Sequence, residues 1–251
     1  MSGDLGPPDA PPAGTARWYA WLFTPPRARG TVALLFALES EWRSIVARST
    51  DHGVAHLKLH WWREEIQRLA AGRSRHPLTQ ALATSVPHGS DLYDPLADFL
   101  TSMELQLAEI AIDDDSELER FLALASGLTR AMAVAVSGRP ADPDTLQIGS
   151  DIGETVRGVL IVADWRHAPA NERGRAAMLR LAARSRASWE RAIHCLRHPQ
   201  HEALRGLRVI GQLHMTMLDR MQSDNYRVPL RGDELPAIQC LWTAWRAARQ
   251  H

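Results

Sequence analysis

The chain has 251 residues, with 29 basic and 29 acidic side chains and a formal net charge of zero. That balance argues against nucleic acid as a partner, and a single domain of this length can bury roughly 70–75% of its unfolded surface without covalent staples. The two cysteines, Cys195 and Cys240, have neither metal nor redox spacing and read as small buried hydrophobes of a reducing compartment.

The first stretch, MSGDLGPPDAPPAG, has no apolar signal core and no Arg-rich amphipathic pattern. Its Pro, Gly and Ala content predicts a disordered tail over residues 1–14. From residue 15 onward the apolar periodicity is helical, with no alternating strand pattern. Helices are predicted over 15–23, 26–48, 54–71, 76–86, 93–112, 117–137, 144–165, 173–198, 201–223 and 233–249. Turn chemistry separates them: Thr24-Pro25-Pro26, Asp51-His52-Gly53, Gly72, Pro87-His88-Gly89-Ser90, Gly138-Arg139-Pro140 and Arg231-Gly232-Asp233. Ser116 with Glu119 has capping-box spacing and sets one helix start. The connections are short and no apolar run is long enough to cross a bilayer, which gives one all-α domain over 15–251 and a cytoplasmic chain, at most membrane-peripheral.

Several clusters have bland readings. Asp113-Asp114-Asp115 is a solvated loop before a helix N-terminus, where its charges are favourable. Trp61 and Trp62 are core packing, with Leu57 and Ile66 beside them. Glu64 and Arg68 form an exposed i,i+4 pair. His56 and His60 are also i,i+4, but Asp51 and Gly53 make a helical His52 doubtful and no third ligand lies at useful spacing. They read as a polar helix face.

Leu59, Trp61, Trp62, Arg63, Glu64, Glu65 and Ile66, followed by Gly72, His76 and Pro77, match an L-x-W-W-R-E-E-I helix and a G-x-x-x-H-P turn. In register with them follow Met103-Glu104-Leu105, Ala125-Ser126-Gly127, Asp151-Ile152-Gly153, Glu172-Arg173-Gly174-Arg175, Met217-Leu218-Asp219-Arg220-Met221 and Asn225-Tyr226-Arg227-Val228. Together these resemble the squalene/phytoene synthase family. The resemblance implies a helical, isoprenoid-synthase-like bundle around a central cleft, with the helices near 26–48 and 144–165 facing each other across it. It also implies Asp-rich motifs on those two helices that hold Mg²⁺ and the diphosphate of a prenyl substrate.

Those motifs are depleted here. The family's first Asp positions fall on Arg43, Ser44 and Ala47, within the stripe Phe36, Ser40, Arg43 and Ala47. Glu39 and Glu41 are read as lying on other faces. The second stripe runs Gly153, Arg157, Leu160 and Asp164, and only Asp164 keeps its acid. Magnesium is therefore not expected as a cofactor, because Arg43, Ser44, Ala47 and Leu160 stand where its ligands should be. Arg43, Arg157, Asp164, Ser40 and Tyr226 are the candidate cleft for an anionic ligand such as a prenyl phosphate or an anionic lipid. The bland alternative pairs Arg43 with Glu39 and Arg157 with Glu154 as ordinary surface charges. The resemblance extends to the respiratory complex I assembly factor branch, whose aspartate motifs are likewise eroded, and implies a non-catalytic binding or assembly module with a protein partner. An active prenyl transferase with rearranged ligands and a non-catalytic isoprenoid or lipid carrier are the alternatives.

Overall fold

Capping side chains mark where several of the helices begin. The computed structural model describes residues 10–48, 51–86, 91–108, 114–138, 142–165, 172–196, 199–226 and 235–249. In chain order it forms α1 (Ala16–Leu22), α2 (Arg29–Arg48), α3 (His52–Ala70), α4 (Pro77–Ser85), α5 (Tyr93–Leu107) and α6 (Asp115–Ala125). There follow α7 (Gly127–Ser137), α8 (Pro143–Trp165), α9 (Glu172–Leu196), α10 (Arg205–Ser223) and α11 (Ala237–Arg249). Short 3-10 turns at Pro26–Ala28 and Pro199–Leu204 lead into α2 and α10. No strand occurs among the described residues.

Thr15 opens α1 by accepting the Trp18 N–H at 3.1 Å. Asp51 caps α3 by accepting from the N–H groups of Gly53 and Val54, so His52 is helical after all, contrary to the doubt placed on it. Asp114 caps α6, accepting from the Glu117 N–H at 2.8 Å and the Ser116 hydroxyl at 2.7 Å. The Ser116/Glu119 box is therefore displaced: the shorter carboxylate two residues upstream takes the cap first. Gly138, at φ +65°, ends α7 in the left-handed region. Gly174 lies in the first turn of α9, inside the helix predicted over 173–198. The segments 227–234 and 109–113, with the predicted helix end, turn and motif residues that fall on them, lie outside the described residues.

One predicted helix, 117–137, is two. The chain bends at Ser126 (φ −74°, ψ −6°), and α7 begins against α5. A Cβ at Gly127 would lie 2.1 Å from the Pro95 carbonyl oxygen, so only glycine permits this approach. Among the described residues, 115–137 is the one stretch long and apolar enough to cross a membrane, and 67% of its most apolar window is buried inside the fold.

The α7 helix lies at the centre of the bundle, with α2, α5 and α8 packed on it. Gly153 brings α8 close: its missing Cβ would sit 2.2 Å from Thr129 Oγ1 and 2.6 Å from Ser126 Cα. Trp42, Trp62 and Phe99 join α2, α3 and α5, with the two indoles edge-on at 5.7 Å. Trp61 departs from its predicted core role. It is 40% exposed, edge-on to Trp62 and covered by Arg68, and Leu57 beside it also faces outward.

The W-W-R-E-E-I helix and the H-P turn work as a staple. Buried Glu65 accepts from the N–H groups of Arg75 (2.7 Å) and His76 (2.9 Å), from the Thr79 hydroxyl and from Arg68 Nε (2.8 Å). Arg63 reaches Glu104 and Thr101 on α5, and His76 caps α4 through the Leu78 N–H. A second, smaller core of Tyr19, Val209, Leu213, Leu235, Cys240, Ala244, Ala247 and Ala248 fastens α1 and α11 to α10.

Candidate functional site

A cavity of ≈ 330 Å³ opens between α2, α7, α8 and α10. Phe36, Leu128, Met132, Val156, Leu160, Ile210, Leu213 and Met217 make its wall apolar, and Leu235 and Cys240 complete it. As expected, α2 and α8 face each other across the interior, both resting on α7. The segment Pro12–Arg17 also lines it, and Pro11 is buried, so residues 10–14 pack against the fold rather than trailing as a tail. Residues 1–9 lie outside the described residues.

The polar groups of the wall are Thr15, Arg17, Glu39, Thr129 and His214. Glu39 is the residue that the sequence reading misplaced. It lies three residues after Phe36 and four before Arg43, within about 60° of their stripe at 100° per residue. Its carboxylate is buried and held by two cations, Arg43 Nε at 2.7 Å and Arg17 Nη2 at 3.1 Å. Burial opposes its ionised form, but Arg43 and Arg17, with Arg157 behind them, outweigh that and hold its pKa below the usual carboxylate range. The pairing of Arg43 with Glu39 was foreseen, but it is not a surface pair.

Arg157 is buried on the α5–α6 side of α8. It donates to Gln106 Oε1 at 2.9 Å and stacks 5.2 Å from the Phe121 ring centroid, while its Nε has no hydrogen-bond partner. Burial pushes its pKa down to about 10, and the like charge of Arg43 adds to this; Asp164 and Glu39 pull the other way. It remains a cation at neutral pH. The alternative pairing with Glu154 does not form, because Glu154 instead accepts from the Ser188 hydroxyl and neighbours Arg184 and Arg191.

The candidate residues thus divide. Arg43, Arg157 and Asp164 share one electrostatic neighbourhood with Glu39, but none of the three forms the cavity wall; Glu39 links that charged layer to the apolar space. Ser40 is exposed on α2. Tyr226 lies just past the end of α10, at φ +57° and beside Arg186, and is not part of the wall. His214, which sequence reasoning missed, sits in the wall with Nδ1 2.8 Å from the Ile210 carbonyl. Burial lowers its pKa, the Ile210 carbonyl opposes this, and Arg17 reinforces it. Its one sequence signal is a place on the apolar stripe of α10, between Ile210, Leu213 and Met217. Among the described residues no three His, Cys, Asp or Glu side chains gather as a metal site, the histidines of α3 included, where His60 pairs with Glu64 at 3.5 Å.

The sequence profile of the squalene/phytoene synthase family matches residues 11–167, which carry α1 to α8. No curated protein sequence matches significantly. Among solved structures, the crystal structure of a dehydrosqualene synthase in complex with ligand superposes with a TM-score of 0.74 at 13% identity. The superposition covers 92% of this chain and 89% of that one, and at such identity it speaks for a shared fold.

Proposed function

Because the chain belongs to the squalene/phytoene synthase family, we propose that it keeps the family's helical cleft as a binding site for one apolar chain with an anionic head, and has given up magnesium-dependent prenyl transfer. The observation that carries this is the fate of the charges around the cleft. Glu39, the carboxylate in the cavity wall, is committed to Arg17 and Arg43. Arg43 and Arg157 stand at positions where the family would place acidic or amide side chains.

Two magnitudes support the reading. A guanidinium about 4 Å from a cation opposes it by about 4 kcal/mol per unit charge at an effective dielectric of 20, and by less in proportion to distance, so Arg43 and Arg157 in the layer behind the wall bias the cleft against Mg²⁺ and toward phosphate or carboxylate. The cavity, at ≈ 330 Å³, lies near the lower bound of small-molecule sites, about 300–1,000 Å³. Head-to-head condensation must hold two prenyl chains at once, whereas this space suits one. The open cavity also favours a ligand-binding role over a purely scaffolding one, which needs no internal space.

Incubation with farnesyl or geranylgeranyl diphosphate and Mg²⁺ should release no diphosphate, since electrostatic groups at such sites commonly carry factors of about 10²–10³ each. Farnesyl phosphate should bind equally well with EDTA present and more weakly as salt rises. Detectable squalene, phytoene or dehydrosqualene formation, or binding that requires Mg²⁺, would overturn the reading.

A further inference from the structure

Four of the eight large apolar side chains exposed among the described residues fall on α11: Ile238 (80% exposed), Leu241 (53%), Trp242 (58%) and Trp245 (38%). Their spacing of i, i+3, i+4 and i+7 makes one continuous stripe. The opposite face, Cys240, Ala244, Ala247 and Ala248, packs inward. A helix resting on a core would turn its polar face to water; α11 turns its largest hydrophobic side chains outward and buries its smallest.

The rim of the stripe is cationic. The Trp242 and Trp245 rings stack with centroids 5.2 Å apart, and the Arg249 guanidinium lies 4.2 Å over Trp245. Arg246 is exposed beside them. Neither α11 nor α1, which packs against it, contains an acidic residue.

We propose that α11 docks the protein onto the surface of an anionic lipid bilayer, with this stripe seated at the boundary between headgroups and acyl chains. Indole rings favour that boundary because one edge is apolar and one polar, and arginines beside them reach up to lipid phosphates. With 13 residues, α11 is too short to span and lies in the plane of the surface. Its inner face gives a further reason for a lipid partner. Cys240 of α11 and Leu235 just before it belong to the wall of the apolar cavity, so docking brings that wall next to the phase from which an amphiphile would enter. The docking surface itself stands without the ligand-binding reading.

The test is co-sedimentation of the full-length protein with mixed phosphatidylcholine–phosphatidylglycerol vesicles and with pure phosphatidylcholine vesicles, without any prenyl ligand. The wild type should pellet with the mixed vesicles, less with the neutral ones, and progressively less as salt rises. Trp242→Ser with Trp245→Ser should lower partitioning at least roughly tenfold. Arg246→Glu with Arg249→Glu should abolish the preference for anionic lipid. Ile238→Asp, at a position with no core contact, supplies a variant whose loss of binding cannot come from unfolding, and circular dichroism checks the others. The proposal is overturned if the wild type stays in the supernatant with mixed vesicles, or if the tryptophan and isoleucine variants pellet unchanged. It is equally overturned if the stripe instead mediates a concentration-dependent dimer that the variants dissolve, with no vesicle binding. Because no prenyl ligand is present, failure of the cleft reading leaves this result untouched.

Discussion

A carboxylate in the wall of an apolar cavity must be neutralised or held, and Glu39 is held by Arg17 and Arg43. Glu39→Gln removes the anion and leaves two guanidiniums facing one another. Breaking a buried pair costs about 3–5 kcal/mol; both arginines here keep contact with water, so a loss of about 2 kcal/mol is expected in urea unfolding, with the slope unchanged. The same substitution should tighten farnesyl phosphate binding roughly tenfold, about 1.4 kcal/mol, because both cations become available to the head group. Lower stability with weaker binding would show that Glu39 shapes the site rather than competing for it. Glu65 makes a separate prediction in acid. Burial raises its pKa, but the N–H of His76, the Thr79 hydroxyl, Arg68 and the N–H of Arg75 together hold it down from 4.5 to about 2. As pH falls from about 4.5 toward 2, the unfolded chain takes up this proton before the folded one does, so the stability that Glu65 contributes in full above that window is lost within it. Urea midpoints measured across the window should fall steeply for the wild type and more gently for Glu65→Gln.

The helices show which signals act locally and which do not. Thr15, His76 and Gly138 sit where chain-local hydrogen bonds or a left-handed residue begin or end a helix, and the predicted boundaries fall at or beside them, whereas Asp51, read as part of a turn, caps α3 and starts it earlier than predicted. The bend at Ser126 was not, because its cause is the Pro95 carbonyl of another helix pressing on Gly127. The same holds for Trp61, whose exposure depends on which side of α3 faces α5. Gly153 puts a number on this kind of contact. Gly153→Ala would place a methyl carbon 2.2 Å from Thr129 Oγ1 and 2.6 Å from the Ser126 backbone. Overpacking of that severity costs about 2–3 kcal/mol, which in a chain of this size lowers the thermal midpoint by roughly 5–10 °C. A midpoint within a degree of the wild type would mean that α7 and α8 separate more easily than their packing implies.

At the scale of the molecule, the bundle was legible because the W-W-R-E-E-I helix and its H-P turn are structural: Glu65, Arg63 and His76 tie α3 to α4 and α5. The cavity was less legible. Its wall joins Phe36 and Glu39 of α2 to His214 and Met217 of α10, and no local pattern marks residues so far apart as neighbours. Charge identity could be read, as with Arg43 and Arg157, but not the direction of each side chain. Arg157 turns toward Gln106 and Phe121 rather than into the cavity.

The wall of the cavity has a consequence for how the protein is made. About 200 residues separate Glu39 from Cys240, and both belong to the same wall. At ~5–20 residues per second, a ribosome needs roughly 10–40 s to pass from one to the other. Through that interval the apolar face of α2, joined partway by that of α7, has been synthesised but not enclosed, and α1 has no α11 to pack against. The nascent chain therefore depends on α11 to cover surface that α1 and α10 have already presented. A chain stopped after Ser223 should stay helical yet bind a hydrophobic dye strongly and take up no farnesyl phosphate, whereas the 251-residue chain should bind little dye and take up farnesyl phosphate. The cavity closes only after α11 has been made, so a ligand of the proposed kind would stabilise the folded bundle rather than template its folding.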